Sequence, residues 1–154
     1  MSAPVLVITG TDTEVGKTIT TAAIAAALSA RGQRVLMIKL AQTGVTDDEP
    51  GDAQTVERLA GVDVAEHVRL PDPLAPDVAA ALADETIPTV GDHAAQVLEQ
   101  VESGRYDVVL VEGSGGLLVH LDAIGSTLAD LATPLEAKGV RVGFVVVARA
   151  GLGT

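Results

Sequence analysis

Residues 10–18 have the residue types and the spacing of a phosphate-binding loop. They read Gly-Thr-Asp-Thr-Glu-Val-Gly-Lys-Thr, between an apolar run at residues 5–9 and an alanine-rich helical pattern. In such a loop the backbone N–H groups surround the phosphates, the lysine reaches the β- and γ-phosphates, and the threonine binds Mg²⁺. The segment therefore predicts that Lys17 and Thr18 bind a nucleoside triphosphate together with magnesium.

This loop is one residue longer than the common form. Gly10 lies six residues before Gly16, and Thr11 stands where the pattern G-x4-G-K-[ST] has its first glycine. The alternative is a surface turn that contains Gly-Lys-Thr by chance. The apolar strand pattern before the loop and the helical pattern after it favour a phosphate loop.

Three more side chains could act beside the loop. Lys39 ends a second apolar run, at the sheet edge where open α/β folds bind ligands, although a charged strand end is the alternative. Glu112 ends a third run and precedes Gly113-Ser114-Gly115-Gly116, a pattern typical of a strand that delivers a carboxylate toward magnesium. Asp52 follows a long loop and could supply a second carboxylate or simply cap a helix.

The elements that would position these residues alternate between apolar strands and helices. Strands are predicted at residues 5–9, 35–40, 108–111 and 142–148, and helices at 18–30, 52–59, 92–102 and 127–138. Residues 70–89 hold four prolines and are interpreted as short helices joined by turns. The pattern predicts an α/β fold like that of the P-loop NTPases, a mostly parallel sheet with helices on both faces.

Composition narrows the classes of protein further. The 154 residues suit a single domain (residues 1–154), and a net charge of −11 argues against a nucleic-acid partner. There is no cysteine, which fits a cytoplasmic protein, and we expect no secretory signal and no membrane span. The three histidines share no metal-ligand spacing and are predicted to lie on the surface; they are His67, His93 and His120.

Three segments together resemble the dethiobiotin synthetase family. They are the nine-residue loop 10–18, then Lys39 followed by Gln42-Thr43-Gly44, then Glu112-Gly113-Ser114-Gly115-Gly116. The resemblance covers nearly all of the chain. It departs from the family at Leu40, where proline is usual, and at Ser114, where alanine is common, but neither departure removes a functional group.

The resemblance implies a magnesium-dependent ligase of biotin biosynthesis. It would use ATP to close the ureido ring of dethiobiotin from 7,8-diaminononanoate and CO₂ or bicarbonate. A carbamate on one amine would take the γ-phosphoryl group and then be attacked by the second amine. Lys17 and Lys39 would be the catalytic residues, the first at the transferring phosphoryl group and the second at the carbamate. Magnesium would be held by Thr18, Asp52 and Glu112.

The same resemblance implies the remaining contacts and partners. Thr43 and Thr11 would contact the diamine, and the protein would be a homodimer. The chain ends just past a buried strand, so we expect a C-terminal part, which in this family helps to recognise adenine, to be missing. The nucleotide would be held by Thr13, Glu14, Val15, Gly16, Lys17, Thr18, Ile19, Asp52, Glu112, Gly113, Ser114 and Gly115.

Three other functions remain open at this stage. A switch ATPase of the partition or septum-positioning kind shares the predicted fold, but its signature lysine falls at Asp12 in this chain. An amidoligase of corrin-ring synthesis would need a glutaminase domain that the chain lacks. A nucleotide-binding regulator without catalysis would be favoured if Lys39 proved dispensable.

Overall fold

The computed structural model describes residues 2–151 as five strands with helices between them. The strands are β1 (Val5–Gly10), β2 (Val35–Thr43), β3 (Asp63–Leu70), β4 (Val108–Glu112) and β5 (Val142–Val147). The helices are α1 (Lys17–Ser29), α2 (Asp52–Ala60), α3 (Pro76–Ala83), α4 (Val90–Glu102) and α5 (Ala132–Glu136). A 3-10 turn, Leu128–Leu131, leads into α5.

All strand pairs are parallel, and the sheet order is β3-β2-β4-β1-β5. Apolar side chains alternate between two cores, because successive residues of a strand point to opposite faces. One core lies under α1 and α2, and the other lies under α4 and the 128–136 segment. The predicted α/β class, with helices on both faces of a parallel sheet, is confirmed.

Two elements differ from the sequence-based expectations. Residues 63–70 form an edge strand that the sequence did not predict, because Asp63, Glu66 and Arg69 interrupt its apolar pattern. β2 runs on to Thr43, three residues past the predicted end, because β3 pairs with its last residues. Lys39, predicted to end this strand, therefore lies inside β2, and Thr43 is its last residue.

The predicted helix at residues 127–138 is also shorter and divided. It begins as a 3-10 turn and continues as five α-helical residues. Pro134 lies within this short helix, where it donates no backbone hydrogen bond. Within residues 2–151 the longest helices have 13 residues, and none of them could span a lipid bilayer.

The prediction that all three histidines lie on the surface is wrong for His93. His93 is fully buried, and its ring stacks on that of His67 with 5.1 Å between ring centroids. Their Nδ1 atoms are 2.8 Å apart. Local sequence patterns do not predict this contact, because His67 lies on β3 and His93 on α4. His120 is exposed, as expected.

This histidine pair predicts an acid-labile fold. Burial, together with the charge of neighbouring His67, lowers the pKa of His93 from 6.5 to about 4, and burial also lowers the pKa of His67. The unfolded chain therefore binds more protons, so the stability contribution is complete above about pH 6.5 and is lost toward about pH 4. Each proton contributes a slope of about 1.4 kcal/mol per pH unit.

Urea unfolding at several pH values measures this slope. We expect His93→Leu to flatten the dependence between about pH 6.5 and about pH 4. His120→Gln, which changes an exposed histidine, should leave the slope as it is in the parent protein. An equal slope in the parent protein and His93→Leu would show that the pair does not cause the acid lability.

Candidate active site

The loop between β1 and α1 has the backbone conformation of an anion-binding site. Gly16 precedes the helix with φ of 103°, which a residue with a side chain rarely adopts, and Glu14 is also left-handed at φ 54°. Among the residues that the structure describes, no side chain caps the first turn of α1, so its N–H groups remain available to a ligand. The Val15 side chain packs against Gly10, where a Cβ atom would be only 2.7 Å from Val15 Cγ2.

The two lysines of the prediction lie at the same edge of the sheet. The Lys17 ammonium donates to the backbone carbonyl of Asp12 at 2.8 Å. Lys39 is paired in register with Glu112 of the neighbouring strand β4. Since β4 lies between β2 and β1, this pairing brings Lys39 next to the loop that follows β1.

Lys39 is the centre of an ion-pair network. Its Nζ atom lies 2.6 Å from Asp52 Oδ2 and 3.0 Å from Glu112 Oε1, and it also donates to the Gly113 carbonyl at 3.0 Å. The Thr18 hydroxyl donates to the same Glu112 Oε1 atom at 3.1 Å. Lys39 is only 2% exposed and Glu112 is fully buried, so these charges are shielded from bulk water.

The electrostatics of the network follow from burial and charge. Burial alone would lower the pKa of Lys39, but attraction to Glu112 and Asp52 outweighs it and raises the pKa. Burial alone would raise the pKa of Asp52, but the Lys39 ammonium outweighs it and holds that pKa below its ordinary value. Burial, together with the positive charge of Lys39, lowers the pKa of Lys17. The pairing of Lys39 with Glu112 and Asp52 favours a charged Lys39 and an ionised Asp52.

A cavity of about 800 Å³ opens above these residues. Most of the residues predicted for the site line it, and Pro73, Leu74 and Val119 add apolar surface. Glu112 lies beneath Lys39 and does not reach the cavity wall. Thr11 is not a lining residue; it is exposed and donates its N–H to the Val147 carbonyl at 3.0 Å. The predicted residues that do line the cavity are Thr13, Glu14, Gly16, Lys17, Thr18, Ile19, Lys39, Thr43, Asp52, Ser114 and Gly115.

Sequence reasoning missed two polar residues of this site. The Thr21 hydroxyl lies 2.5 Å from Glu112 Oε2, and Gln42 Oε1 accepts a hydrogen bond from the Asp52 N–H at 2.8 Å. The signal for Thr21 was its position three residues after Thr18 on the same helix face. Gln42 belongs to a segment of the family resemblance, but its contact with Asp52 was not predicted, because the two residues lie across a loop.

Ser114, one of the two departures from the family pattern, is buried, and its hydroxyl donates to the Ala41 carbonyl. It thereby ties the glycine-rich turn after β4 to the end of β2. The other departure, Leu40, is fully buried in the core that lies under α4. Neither side chain disturbs the ion pairs of Lys39.

Arg69 holds the loop that presents Asp52. Its guanidinium donates to the carbonyls of Thr46 at 2.8 Å and Glu49 at 2.7 Å, and it also pairs with Glu66 at 2.7 Å. Another N–H group of Arg69 donates to Gln54 Oε1 at 3.2 Å, and that oxygen also accepts from the N–H of residue 51 at 2.9 Å. The arginine thus fixes both the loop and the first turn of α2, where Asp52 lies.

We expect Arg69→Met to loosen this loop. Losing the hydrogen bonds to the two loop carbonyls should lower the local opening free energy by about 2 kcal/mol, which speeds amide exchange by more than tenfold. Hydrogen-exchange mass spectrometry of peptides covering residues 44–54 measures the effect. Arg58→Met changes an exposed arginine of α2, the helix that follows this loop, and is the matched control. Equal exchange in both variants would contradict the assigned role of Arg69.

The donor atoms of the network suit magnesium. Two carboxylates and a hydroxyl supply hard oxygen ligands, which Mg²⁺ prefers, and nucleotide phosphates commonly complete its coordination. Within residues 2–151 no group of three or more histidine, cysteine or acidic side chains could form a metal site by protein ligands alone. The oxygen set Thr18, Asp52 and Glu112 therefore fits a metal that arrives with a phosphate ligand.

Comparison with known proteins finds relatives that are named dethiobiotin synthetases. The ATP-dependent dethiobiotin synthetase BioD of Streptomyces coelicolor is 55% identical over 152 residues, which are 98% of this chain and 61% of that protein. The proteins of the same name from Streptomyces avermitilis and Rhodococcus jostii are 53% and 51% identical, over 97% of this chain in each case and over 60% and 62% of those proteins. The predicted resemblance to dethiobiotin synthetases is confirmed.

The chain spans about three fifths of the length of these relatives, 60% to 62%. Residues 5–154 also match the sequence model of a protein family described as AAA domain. This match covers the loop, both lysines, Asp52 and the glycine-rich turn after β4. On that match, the chain belongs to the AAA domain family.

Proposed function

We propose that the protein is a dethiobiotin synthetase, an ATP- and magnesium-dependent enzyme that closes the ureido ring of dethiobiotin. The main support is the position of the Lys39 ammonium, which lies at the wall of the same cavity as the phosphate-loop lysine. A nucleotide-binding module would need only Lys17. Transfer of a phosphoryl group to an anionic acceptor needs positive charge on the acceptor side as well.

The nucleotide phosphates would bind at the loop and the first turn of α1. Backbone N–H groups around Gly16 and the helix dipole favour an anion there, and the Lys17 side chain can swing from the Asp12 carbonyl to the β- and γ-phosphates. Thr13, Glu14 and Ile19 line the same end of the cavity. Such contacts would position the γ-phosphoryl group in front of Lys39.

The acceptor in the proposed reaction is a carbamate. One amine of 7,8-diaminononanoate adds to CO₂ and loses a proton, and a carbamate oxygen then takes the γ-phosphoryl group, which releases ADP. The second amine attacks the carbon of this mixed anhydride, phosphate leaves, and the ring closes. Lys39 would hold the carbamate and lower the repulsion between two anions. Thr43 would contact the diamine, and the apolar side chains of Leu74 and Val119 suit its carbon chain.

Thr11 is a weaker substrate contact in this proposal, because it lies outside the cavity wall. Magnesium, when bound through Thr18, Asp52 and Glu112, would supply positive charge at the β- and γ-phosphates. The protein residues themselves position these oxygens: Thr21 at Glu112, and Gln42 at the Asp52 backbone. Val15 would act through the backbone of the phosphate loop, and Gly113 and Gly115 through the backbone of the turn after β4.

The proposal also covers the domain organisation, the location and the partners of the protein. Residues 1–154 would be one nucleotide-binding domain of a cytoplasmic homodimer without nucleic-acid or membrane partners. The net charge of −11 supports the exclusion of nucleic acid. Leu118 and Ile124, which are 72% and 79% exposed, offer apolar surface of the kind that protein interfaces bury.

The proposed function is tested by ADP release from the intact protein with MgATP and bicarbonate, measured with and without 7,8-diaminononanoate. We expect ADP release to require the diamine and a ureido product to form in equal amount. ATP turnover that is independent of the diamine would point instead to a switch ATPase, the alternative function that shares this fold.

A further inference from the structure

The two carboxylates proposed for magnesium already have a cation between them. The Lys39 ammonium lies 2.6 Å from Asp52 Oδ2 and 3.0 Å from Glu112 Oε1. The other oxygen of Glu112 is 2.5 Å from the Thr21 hydroxyl, so both of its oxygens are engaged. Glu112 is fully buried, so its charge is balanced by these protein partners and not by bulk water.

A divalent cation and this ammonium would compete for the same oxygens. Magnesium binds oxygen at about 2.0–2.1 Å, so on Asp52 Oδ2 or Glu112 Oε1 it would lie roughly 4 Å from an ammonium that is 2.6 Å or 3.0 Å from those atoms. Repulsion between the two charges would be strong in so buried a place. Direct metal binding at these two oxygens therefore favours an arrangement in which Lys39 has moved away.

The Lys17 ammonium does not compete in the same way. It donates to the Asp12 carbonyl and makes no ion pair with either carboxylate within the part of the chain that the structure describes. A triphosphate would give both lysines new anionic partners. Only a ligand that binds the displaced arrangement better can favour it, and the triphosphate has the charge to do so.

We propose that Lys39 and the divalent cation compete for Asp52 and Glu112, so that the protein accepts the metal together with the triphosphate and not before it. Displacement would then release the Lys39 ammonium toward the transferring phosphoryl group. Metal binding and the positioning of Lys39 would thus be one event. This inference rests on the magnesium site of the proposed function.

The test is Mn²⁺ binding to the intact protein without nucleotide, followed by electron paramagnetic resonance. Lys39→Met keeps the length of the side chain and removes the competing charge, and it should bind Mn²⁺ at least about tenfold more tightly than the parent protein. Lys17→Met removes an equal charge nearby, so it is the matched control for general electrostatics. We expect a smaller gain for Lys17→Met, and equal gains for both variants would overturn direct competition.

Folding of Lys39→Met is checked by thermal unfolding with and without Mn²⁺. We expect Mn²⁺ to raise the melting temperature of this variant more than that of the parent protein, because the metal replaces the lost counter-charge. Should the variant not fold, the parent protein still decides the question. The ¹⁵Nζ resonance of Lys39, assigned with Lys39→Arg, should stay unchanged with Mg²⁺ alone and shift with Mg²⁺ plus β,γ-methylene-ATP.

Tight Mn²⁺ binding by the nucleotide-free parent protein would overturn the proposal, as would a Lys39 resonance that stays in place with metal and nucleotide bound. Neither measurement uses the diamine or detects a ureido product. Failure of the competition therefore remains distinct from failure of the proposed ligase activity. If the parent protein made no ureido product but Lys39→Met bound Mn²⁺ more tightly, the proposed competition would stand and only the proposed ligase activity would be contradicted.

Discussion

Lys17→Met is expected to slow phosphoryl transfer by about a hundredfold to a thousandfold, since preorganised positive charge is commonly the largest catalytic contribution of such sites. Lys17 lines the cavity at the loop, and its charge would act on the γ-phosphoryl oxygens as the transition state forms. Rapid-quench measurement of ADP formation with saturating diamine reports this step. The fold should tolerate the change, because within residues 2–151 the ammonium makes its one hydrogen bond to a backbone carbonyl.

The control for this variant is Lys138→Met, which removes an exposed lysine that does not line the cavity. It should leave ADP formation as fast as in the parent protein. If Lys17→Met formed ADP at the parent rate, the loop would not be the phosphate site, and the proposed nucleotide-binding site would be contradicted. A loss confined to nucleotide affinity would instead place Lys17 in ground-state binding.

Lys39→Met is expected to abolish ring closure while nucleotide binding persists. Its charge would be needed at the carbamate, so product formation should fall by about a hundredfold or more, whereas the phosphate loop and Lys17 remain in place. Calorimetric titration with β,γ-methylene-ATP and assay of the ureido product measure the two effects on one preparation. The variant also leaves two neighbouring carboxylates without their cation, which should cost about 3–5 kcal/mol of stability.

Measuring the unfolding of each variant alongside its activity separates a loss of catalysis from a loss of stability. Lys39→Arg keeps a positive charge but cannot place a compact ammonium between Asp52 and Glu112. We expect it to be more stable than Lys39→Met and still slow in ring closure. Lost nucleotide affinity in Lys39→Met, with ring closure reduced only in proportion, would contradict a role at the carbamate and would assign Lys39 to nucleotide binding.

Much of the architecture was predictable from local patterns. Residues 5–9 and 108–111 are uninterrupted apolar runs, which is typical of strands buried on both faces, and glycines mark the turn at residues 113–116. The edge strand β3 was missed because an edge strand is half exposed, so it tolerates charges such as those of Asp63 and Glu66 that hide its period. Position in the sheet, and not propensity, makes those residues a strand.

The sequence by itself determined the phosphate loop, because its glycine spacing, its lysine and its flanking strand and helix are all local features. It also predicted that Lys39 and Glu112 lie toward the edge where a parallel sheet collects ligand-binding residues, although β2 continues past Lys39 to Thr43. Only the tertiary structure decided that Lys39 pairs with Asp52 and Glu112, that Thr21 contacts the Glu112 carboxylate, that Gln42 accepts from the Asp52 N–H, and that His67 meets His93. Each of these contacts joins residues far apart in sequence or across a loop, and sheet order and helix packing bring them together.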